Sequence, residues 1–112
     1  MQTDVIHLYR VVGVREEKLI RDKKVFLPGG NSMEARQFAF TEKEVLDYAE
    51  TDSSKTAVVR VVMPKHIMQS VEISTDIDVK IFTNGVVSVQ PDNLDLFNKS
   101  IISIEFIGKV GN

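Results

Sequence analysis

Arg10 is the residue whose position in the sequence most needs a chemical explanation. It lies in "VIHLYRVVG", residues 5–13, whose composition predicts a β-strand. Because side chains alternate between the two faces of a strand, the face that contains Arg10 also contains the apolar side chains of Ile6, Leu8 and Val12. A fully buried, unpaired charge is costly. We therefore expect Arg10 to pair with a carboxylate, to lie at the edge of the core, or to face a cleft that receives an anion.

Other residues that commonly do chemistry are few or isolated. The chain has no cysteine, which excludes disulfides, thiolate metal sites and a cysteine nucleophile. Its histidines, His7 and His66, are far apart and have no partner at metal-ligand spacing, so no metal site is expected. The nucleotide-binding patterns GxxxxGK[ST] and GxGxxG do not occur, and no serine lies in a GxSxG turn. Asp76 and Asp78 share one side of an extended segment, for which a solvated strand end is the commoner explanation.

The elements that position these residues follow from periodicity and turn residues. Strands are predicted at 5–12, 25–27, 36–40, 56–64, 70–74 and 101–110, with strand-like runs on either side of a hairpin turn at Asn84-Gly85. Helical segments are predicted at 14–22, 42–50, 65–69 and from Pro91 onward, and a loop at 28–35. Thr41 and Glu44 have the spacing of a capping box at the start of the helix over 42–50. This order predicts a compact α+β domain with a mixed or antiparallel sheet and two or three short helices.

Composition sets broad limits on function. The 112 residues, 43% of them hydrophobic, fit a single domain over 1–112 that folds without disulfides or metal. A net charge of −2 gives no whole-molecule argument for nucleic-acid binding. No stretch approaches the roughly 20 apolar residues of a membrane span, and the N-terminus does not have the pattern of a signal peptide.

Three segments in combination resemble a known class of protein. They are "LYRVV" at 8–12, "ARQFAFTEKEVLDYA" at 35–49 and "VVSVQPDNLDLFNKSI" at 86–101. Their order is similar to that of small bacterial toxin domains with the ADP-ribosyltransferase fold, found at the C-termini of polymorphic and contact-dependent toxins. The resemblance implies an NAD-using toxin or effector that transfers ADP-ribose to a macromolecular target, acts in the cytoplasm of a target cell and is covered by a cognate immunity protein. Outside a toxin role, a cytoplasmic location is expected.

The resemblance also implies roles for individual residues. Arg10 would line the NAD cleft and contact a phosphate or the neighbouring ribose, next to Tyr9 in the same motif. Thr41 matches the Ser or Thr that supports the site. The aromatic residues Phe38 or Phe40, with Tyr48, would stack near the nicotinamide. Simpler explanations remain for each: Arg10 pairs with a carboxylate such as Glu105 or Glu72, Thr41 only caps its helix, and the aromatic rings belong to the core.

The sequence departs from the family at one important position. The family has a glutamate on its late strand, which stabilises an oxocarbenium-like transition state, whereas the matching place here has Gln90. Asp92 and Glu72 are the alternative acids. Two other functions therefore stay open. One is a metal-independent ribonuclease toxin that uses His66 or His7. The other is a catalytically inactive module that binds a protein through an exposed hairpin edge at Asn84-Gly85.

Overall fold

Six strands form one antiparallel sheet in the computed structural model, which describes residues 4–27, 36–76 and 79–110. The strands are β1 (Val5–Gly13), β2 (Arg36–Ala39), β3 (Lys55–Pro64), β4 (Glu72–Ser74), β5 (Val86–Val89) and β6 (Ser103–Lys109). They lie side by side in the order β4-β5-β2-β1-β3-β6. The helices are α1 (Val14–Lys23), α2 (Glu42–Ala49) and α3 (Leu94–Ser100), with 3-10 helices at Lys65–Ser70 and Pro91–Asn93. The predicted α+β class is confirmed, and the sheet is antiparallel. Within the described ranges, no helix is long and apolar enough to cross a membrane.

The sheet has an apolar core on each face. On one face, Leu8 and Val12 of β1 pack with residues of α1, α3 and the first 3-10 helix, such as Ile20, Phe97 and Ile67. On the other face, α2 covers a smaller cluster of buried residues, which are Val11, Ala39, Val45 and Val58. The alternation predicted for β1 is therefore correct, and Arg10 projects from the face that carries the larger core.

Strands β1 and β2 are joined weakly at the centre of the sheet. Tyr9 and Ala39 are the only pair of described residues that link them in register. In contrast, β1 pairs with β3 along its whole length, from Val5 opposite Pro64 to Gly13 opposite Lys55. The sheet consequently consists of two three-stranded halves, β4-β5-β2 and β1-β3-β6, which diverge on either side of one residue pair.

The predicted strand over 25–27 is wrong, because residues 24–27 have no regular secondary structure. The side chain of Asn98 in α3 takes the place of a neighbouring strand. Its Oδ1 accepts a hydrogen bond from the Phe26 N–H at 2.8 Å, and its Nδ2 donates to the Phe26 carbonyl oxygen at 2.8 Å. A side-chain amide thus satisfies the backbone of a segment that no strand reaches. The loop predicted at 28–35 lies outside the described residues.

The hairpin predicted at Asn84-Gly85 is also wrong. Residues 79–85 contain turns and no strand, so the connection from β4 to β5 is long. Gly85 has a φ of +91°, and a Cβ there would lie 3.2 Å from the Ser74 carbonyl oxygen, which explains the need for glycine. The expected exposed hairpin edge does not form, because β5 is covered by β2 on one side and by β4 on the other.

Candidate functional site

A cleft of about 490 Å³ opens where β1 and β2 diverge, beside α2. Its apolar and aromatic lining comes from Tyr9, Val11, Phe38, Ala39, Val45, Tyr48, Phe82 and Val86. Its polar lining comes from Arg10, Arg36, Gln37 and Lys55. One cleft therefore combines aromatic rings with three basic side chains, and its volume lies in the range of about 300–1,000 Å³ that is usual for small-molecule sites.

Arg10 spans the opening between the two halves of the sheet. Its Nη1 donates to the carbonyl oxygen of Gln37 in β2 at 2.9 Å. Its Nε and Nη2 donate to the two carboxylate oxygens of Glu16 in α1 at 2.7 and 2.9 Å. The guanidinium carbon also lies 5.9 Å from the centre of the Phe38 ring. Arg10 is thus a paired cation at the rim of a cleft, and its partner is Glu16 rather than Glu105 or Glu72.

The basic edge of the cleft consists of Arg10, Arg36 and Lys55, and the carboxylate of Glu16 lies among these three cations. The Nη1 of Arg36 lies 3.7 Å from its Oε1, in addition to the bidentate contact with Arg10. Burial alone would raise the pKa of Glu16. The hydrogen bonds from Arg10 and the charges of Arg10, Arg36 and Lys55 outweigh burial and lower that pKa below its ordinary value. Glu16 is therefore a carboxylate at neutral pH, and a second carboxylate, that of Asp52, lies 4.0 Å from the Lys55 ammonium.

The aromatic wall of the cleft is formed by two elements that are distant in sequence. Tyr48, in the last turn of α2, lies against Phe82 with ring centres 5.7 Å apart. Tyr9 contributes from β1, on the same face of the sheet as Ala39. Aromatic rings in such an arrangement offer flat apolar surfaces to a planar group of a ligand.

Glu44 holds the segment that carries Phe82 against α2. Its carboxylate is buried and accepts hydrogen bonds from the backbone N–H of Asn84 at 3.2 Å and from the Asn84 amide at 3.3 Å. The Thr41 hydroxyl donates to Glu44 at 2.7 Å, and the Glu44 N–H donates back to Thr41 at 3.3 Å. The predicted capping box is confirmed, and its glutamate also anchors the far wall of the cleft.

We expect the contribution of Glu44 to stability to disappear in acid. Burial alone would raise its pKa, but the hydrogen bonds from Thr41 and Asn84 outweigh it and lower the pKa below the ordinary value of 4.5. A lowered folded-state pKa stabilises the fold above the unfolded-state pKa, and this stabilisation is lost as the pH falls through the folded-state pKa. Wild type should therefore be more stable than Glu44→Gln near neutral pH, and the difference should shrink below pH 4.5.

The measurement is urea unfolding of both proteins between about pH 7 and about pH 3. Glu42→Gln is the matched control, because Glu42 is an exposed glutamate in the same helical turn. A stability difference between wild type and Glu44→Gln that stays constant across this range would contradict the assignment.

A row of polar side chains lies on the same face of the sheet as the cleft. Glu72 in β4 is opposite Ser88 in β5, and Ser88 is opposite Gln37 in β2. Directly opposite residues in antiparallel strands project to the same side, so these side chains form a row that ends at the cleft. Gln90 donates to the Glu72 carboxylate at 3.2 Å. Two strand spacings place Glu72 about 10 Å from Gln37.

The structure brings together some of the residues predicted from sequence. Tyr9, Arg10 and Tyr48 all line the cleft. Phe38 borders it, but its ring is 1% exposed and packs in the core against Phe26 and Phe97.

Three other predicted residues lie outside the lining of the cleft. Phe40 packs against the larger core. Thr41 caps α2. Gln90 bonds Glu72.

Sequence reasoning missed five residues of this site. They are Glu16, Arg36, Glu44 as an anchor, Lys55 and Phe82. No local pattern distinguishes Arg36 or Lys55 from other surface cations, because each acquires its place through strand pairing. The sequence contained one signal of this site, which is that Arg10 and Glu16 lie six residues apart across the junction of β1 and α1.

Comparisons with known proteins add no information about this site. The chain matches no model of a protein family and no curated protein. Among the described residues, no group of three or more potential ligand side chains is arranged to hold a metal ion.

Proposed function

We propose that the domain binds NAD in the cleft between β1 and β2 and transfers ADP-ribose to a macromolecular target, as a toxin or effector of the ADP-ribosyltransferase kind. The observation that carries the proposal is the meeting of an aromatic wall and a basic edge in one cleft, at the position of Arg10. The order of the elements, from β1 through α2 to β5 and α3, also agrees with the order on which the resemblance in sequence rests.

The chemistry of the lining suits a dinucleotide. Guanidinium groups form hydrogen bonds with phosphate oxygens, and Arg10 and Arg36 place two guanidinium groups at the basic edge, where Arg36 also donates to the Leu27 carbonyl oxygen. Tyr48 and Phe82 supply flat rings for a planar heterocycle on the opposite side. The phosphates of NAD would lie toward the arginines, and its nicotinamide toward the rings.

Glu72 is the acid that we assign to the reaction. Transfer breaks the bond between the ribose C1′ and nicotinamide and forms a bond from C1′ to a nucleophile of the target, which gives up a proton. Positive charge develops at the ribose as the first bond breaks, and a fixed carboxylate stabilises that charge. Glu72 lies on the cleft side of the sheet, and the amide of Gln90 orients its carboxylate. Gln90 thus has a supporting role, and the charge comes from the neighbouring strand.

The test is NAD binding and nicotinamide release by wild type and Glu72→Gln. We expect the variant to bind NAD with an unchanged Kd, because the cleft lining is intact. Its rate of nicotinamide release should fall by about 100-fold or more, as for loss of other charge-stabilising groups. Asp95→Asn is the matched control, because Asp95 is an exposed carboxylate paired with Lys99 in α3.

The possible results separate the parts of the proposal. An unchanged rate in Glu72→Gln would remove Glu72 from the mechanism, and Asp92 would be the next acid to replace. Absence of saturable NAD binding by wild type at millimolar concentration would overturn the NAD proposal as a whole.

A non-catalytic binding module is the second candidate, and one observation favours it. The Nε and Nη2 edge of Arg10 is already bonded within the chain, to Glu16. A stable complex with a partner protein in pull-downs, formed by a domain that neither binds nor cleaves NAD, would support this alternative. The ribonuclease alternative has no comparable observation, since neither His7 nor His66 is among the described residues that line the cleft.

A further inference from the structure

We propose that Arg60, oriented by Glu105, is a positioning residue that fixes the ring of Tyr9 at the wall of the cleft. The inference rests on the proposed function and adds to it two residues that lie outside the lining of the cleft. Tyr9 is among the described residues that line the cleft, whereas Arg60 and Glu105 are not. Like Arg10, Arg60 is a cation within a strand of mainly apolar residues, which requires a partner or a function.

Four directly opposite residues form a line of side chains across β2, β1, β3 and β6. Ala39 in β2 is opposite Tyr9 in β1. On the other side of β1, Tyr9 is opposite Arg60 in β3, and Arg60 is opposite Glu105 in β6. Directly opposite side chains in antiparallel strands project to the same face and interact with each other. The line therefore connects the cleft to the edge strand β6 on the face that α2 partly covers.

The two neighbours of Tyr9 in this line differ in what they offer to its ring. Ala39 has only a methyl group, and the cleft opens on that side of β1. On the other side, the hydrogen bonds of Arg60 with Glu105 and with the Tyr9 hydroxyl raise the pKa of the guanidinium above its ordinary value. Tyr9 is thus anchored from β3 and borders open space on the side where a ligand enters.

Glu105 restricts the rotation of the Arg60 guanidinium. The Nε and Nη2 of Arg60 donate to the two carboxylate oxygens of Glu105 at 3.2 and 3.0 Å. Such a bidentate contact fixes the plane of the guanidinium and therefore the direction of its interaction with Tyr9. The side chains of Arg60 and Glu105 are 32% and 44% exposed, so the pair should contribute little to the stability of the fold.

A fixed ring favours ligand binding through conformational entropy. A side chain that is already ordered loses less freedom when it packs against a ligand, so the affinity is higher. Loss of Arg60 should leave the Tyr9 ring in the cleft and increase its motion. The affinity for NAD should then fall, although Arg60 itself is not among the described residues that line the cleft.

The first measurement follows the Tyr9 ring without a ligand. The chain has two tyrosines and no tryptophan, so Tyr9 is the only tyrosine of the Tyr48→Phe protein and its fluorescence reports this ring alone. In that background, Arg60→Gln should lower the nanosecond fluorescence anisotropy of Tyr9. Lys99→Gln is the matched control, because it removes a cation from an exposed ion pair with Asp95 in α3 and should leave the anisotropy unchanged.

The second measurement is calorimetric titration of NAD into wild type, Arg60→Gln, Tyr9→Phe and the double variant. Each single substitution should raise the Kd about two- to tenfold, the effect of one side chain that must be immobilised on binding. The double variant should have the Kd of Tyr9→Phe, because Arg60 acts through the hydroxyl that phenylalanine lacks. Glu105→Gln covers the case in which Arg60→Gln does not fold, and it should raise the Kd by a smaller factor.

The outcomes separate this inference from the proposed function. An unchanged Kd or an unchanged anisotropy in the folded variants, with NAD binding by wild type intact, would overturn the role of Arg60 and leave the proposed function standing. The same is true if Arg60→Gln raises the Kd by an equal factor with and without the Tyr9 hydroxyl. Absence of saturable NAD binding by wild type would overturn both the proposed function and this inference.

Discussion

Arg10→Ala should lower the free energy of unfolding by about 3–5 kcal/mol, the usual effect of removing one partner from a buried ion pair. The side chains of Arg10 and Glu16 are only 13% and 12% exposed, so the substitution leaves a carboxylate in a poorly hydrated place. It also removes the hydrogen bond to Gln37, which is a second link between the halves of the sheet. Chemical denaturation of the purified domain measures the effect.

The double substitution Arg10→Ala/Glu16→Ala separates the two causes. It also removes the carboxylate that Arg10→Ala leaves with only the longer, 3.7 Å contact to Arg36, so it should recover part of the lost stability while the link to Gln37 stays broken. Lys43→Ala is the control for an exposed pair, because Lys43 is 85% exposed beside Asp47 and its loss should change stability little. If Arg10→Ala unfolds at the same denaturant concentration as Lys43→Ala, the ion pair between Arg10 and Glu16 does not stabilise the sheet. Loss of NAD binding in Arg10→Ala is informative only beside such stability data.

Phe38→Ala is expected to cost about 3–5 kcal/mol, the range for truncating a buried aromatic ring. The Phe38 ring is 5.1 Å from that of Phe26 and 5.0 Å from that of Phe97, measured between ring centres. It therefore joins α3 and the segment before residue 28 to the sheet. Thermal or chemical unfolding of the variant gives the stability loss directly.

A pair of conservative variants distinguishes a core ring from a ligand-stacking ring. Phe38→Leu should lower stability and leave the Kd for NAD unchanged in the folded protein. Tyr48→Leu should raise the Kd for NAD and leave stability nearly unchanged, because Tyr48 lines the cleft beside Phe82. Weaker NAD binding by a folded Phe38→Leu protein would return Phe38 to the binding site, where the sequence resemblance had placed it.

Local patterns in the sequence were sufficient for most of the fold. Alternation identified β1 and the face of Arg10, and β-branched residues identified β3. The capping box identified the start of α2. The two errors arose where a side chain from a distant element satisfies the backbone: Asn98 bonds residue 26, and Glu44 bonds residue 84. Such contacts depend on the tertiary structure, and no local pattern contains them.

The sequence predicted less of the site than of the fold. In α2 the apolar residue Leu46 is 38% exposed, whereas the charged residue Glu44 is 4% exposed. A buried glutamate is unusual unless it is paired, and its partner Asn84 is 40 residues away. Arg36 and Lys55 reach the cleft through the register of β2 and β3 with β1. Charge and spacing in the sequence do not predict that Arg36 or Lys55 lies at the cleft.

The single register pair that joins β1 and β2 among the described residues makes the core, and not the strand ladder, the main connection between the two halves of the sheet. Leu8 and Val59 of one half belong to the same buried cluster as Phe38 and Val87 of the other half. Side chains of the core therefore set how closely the two walls of the cleft approach each other, because the cleft opens where the ladder is thinnest.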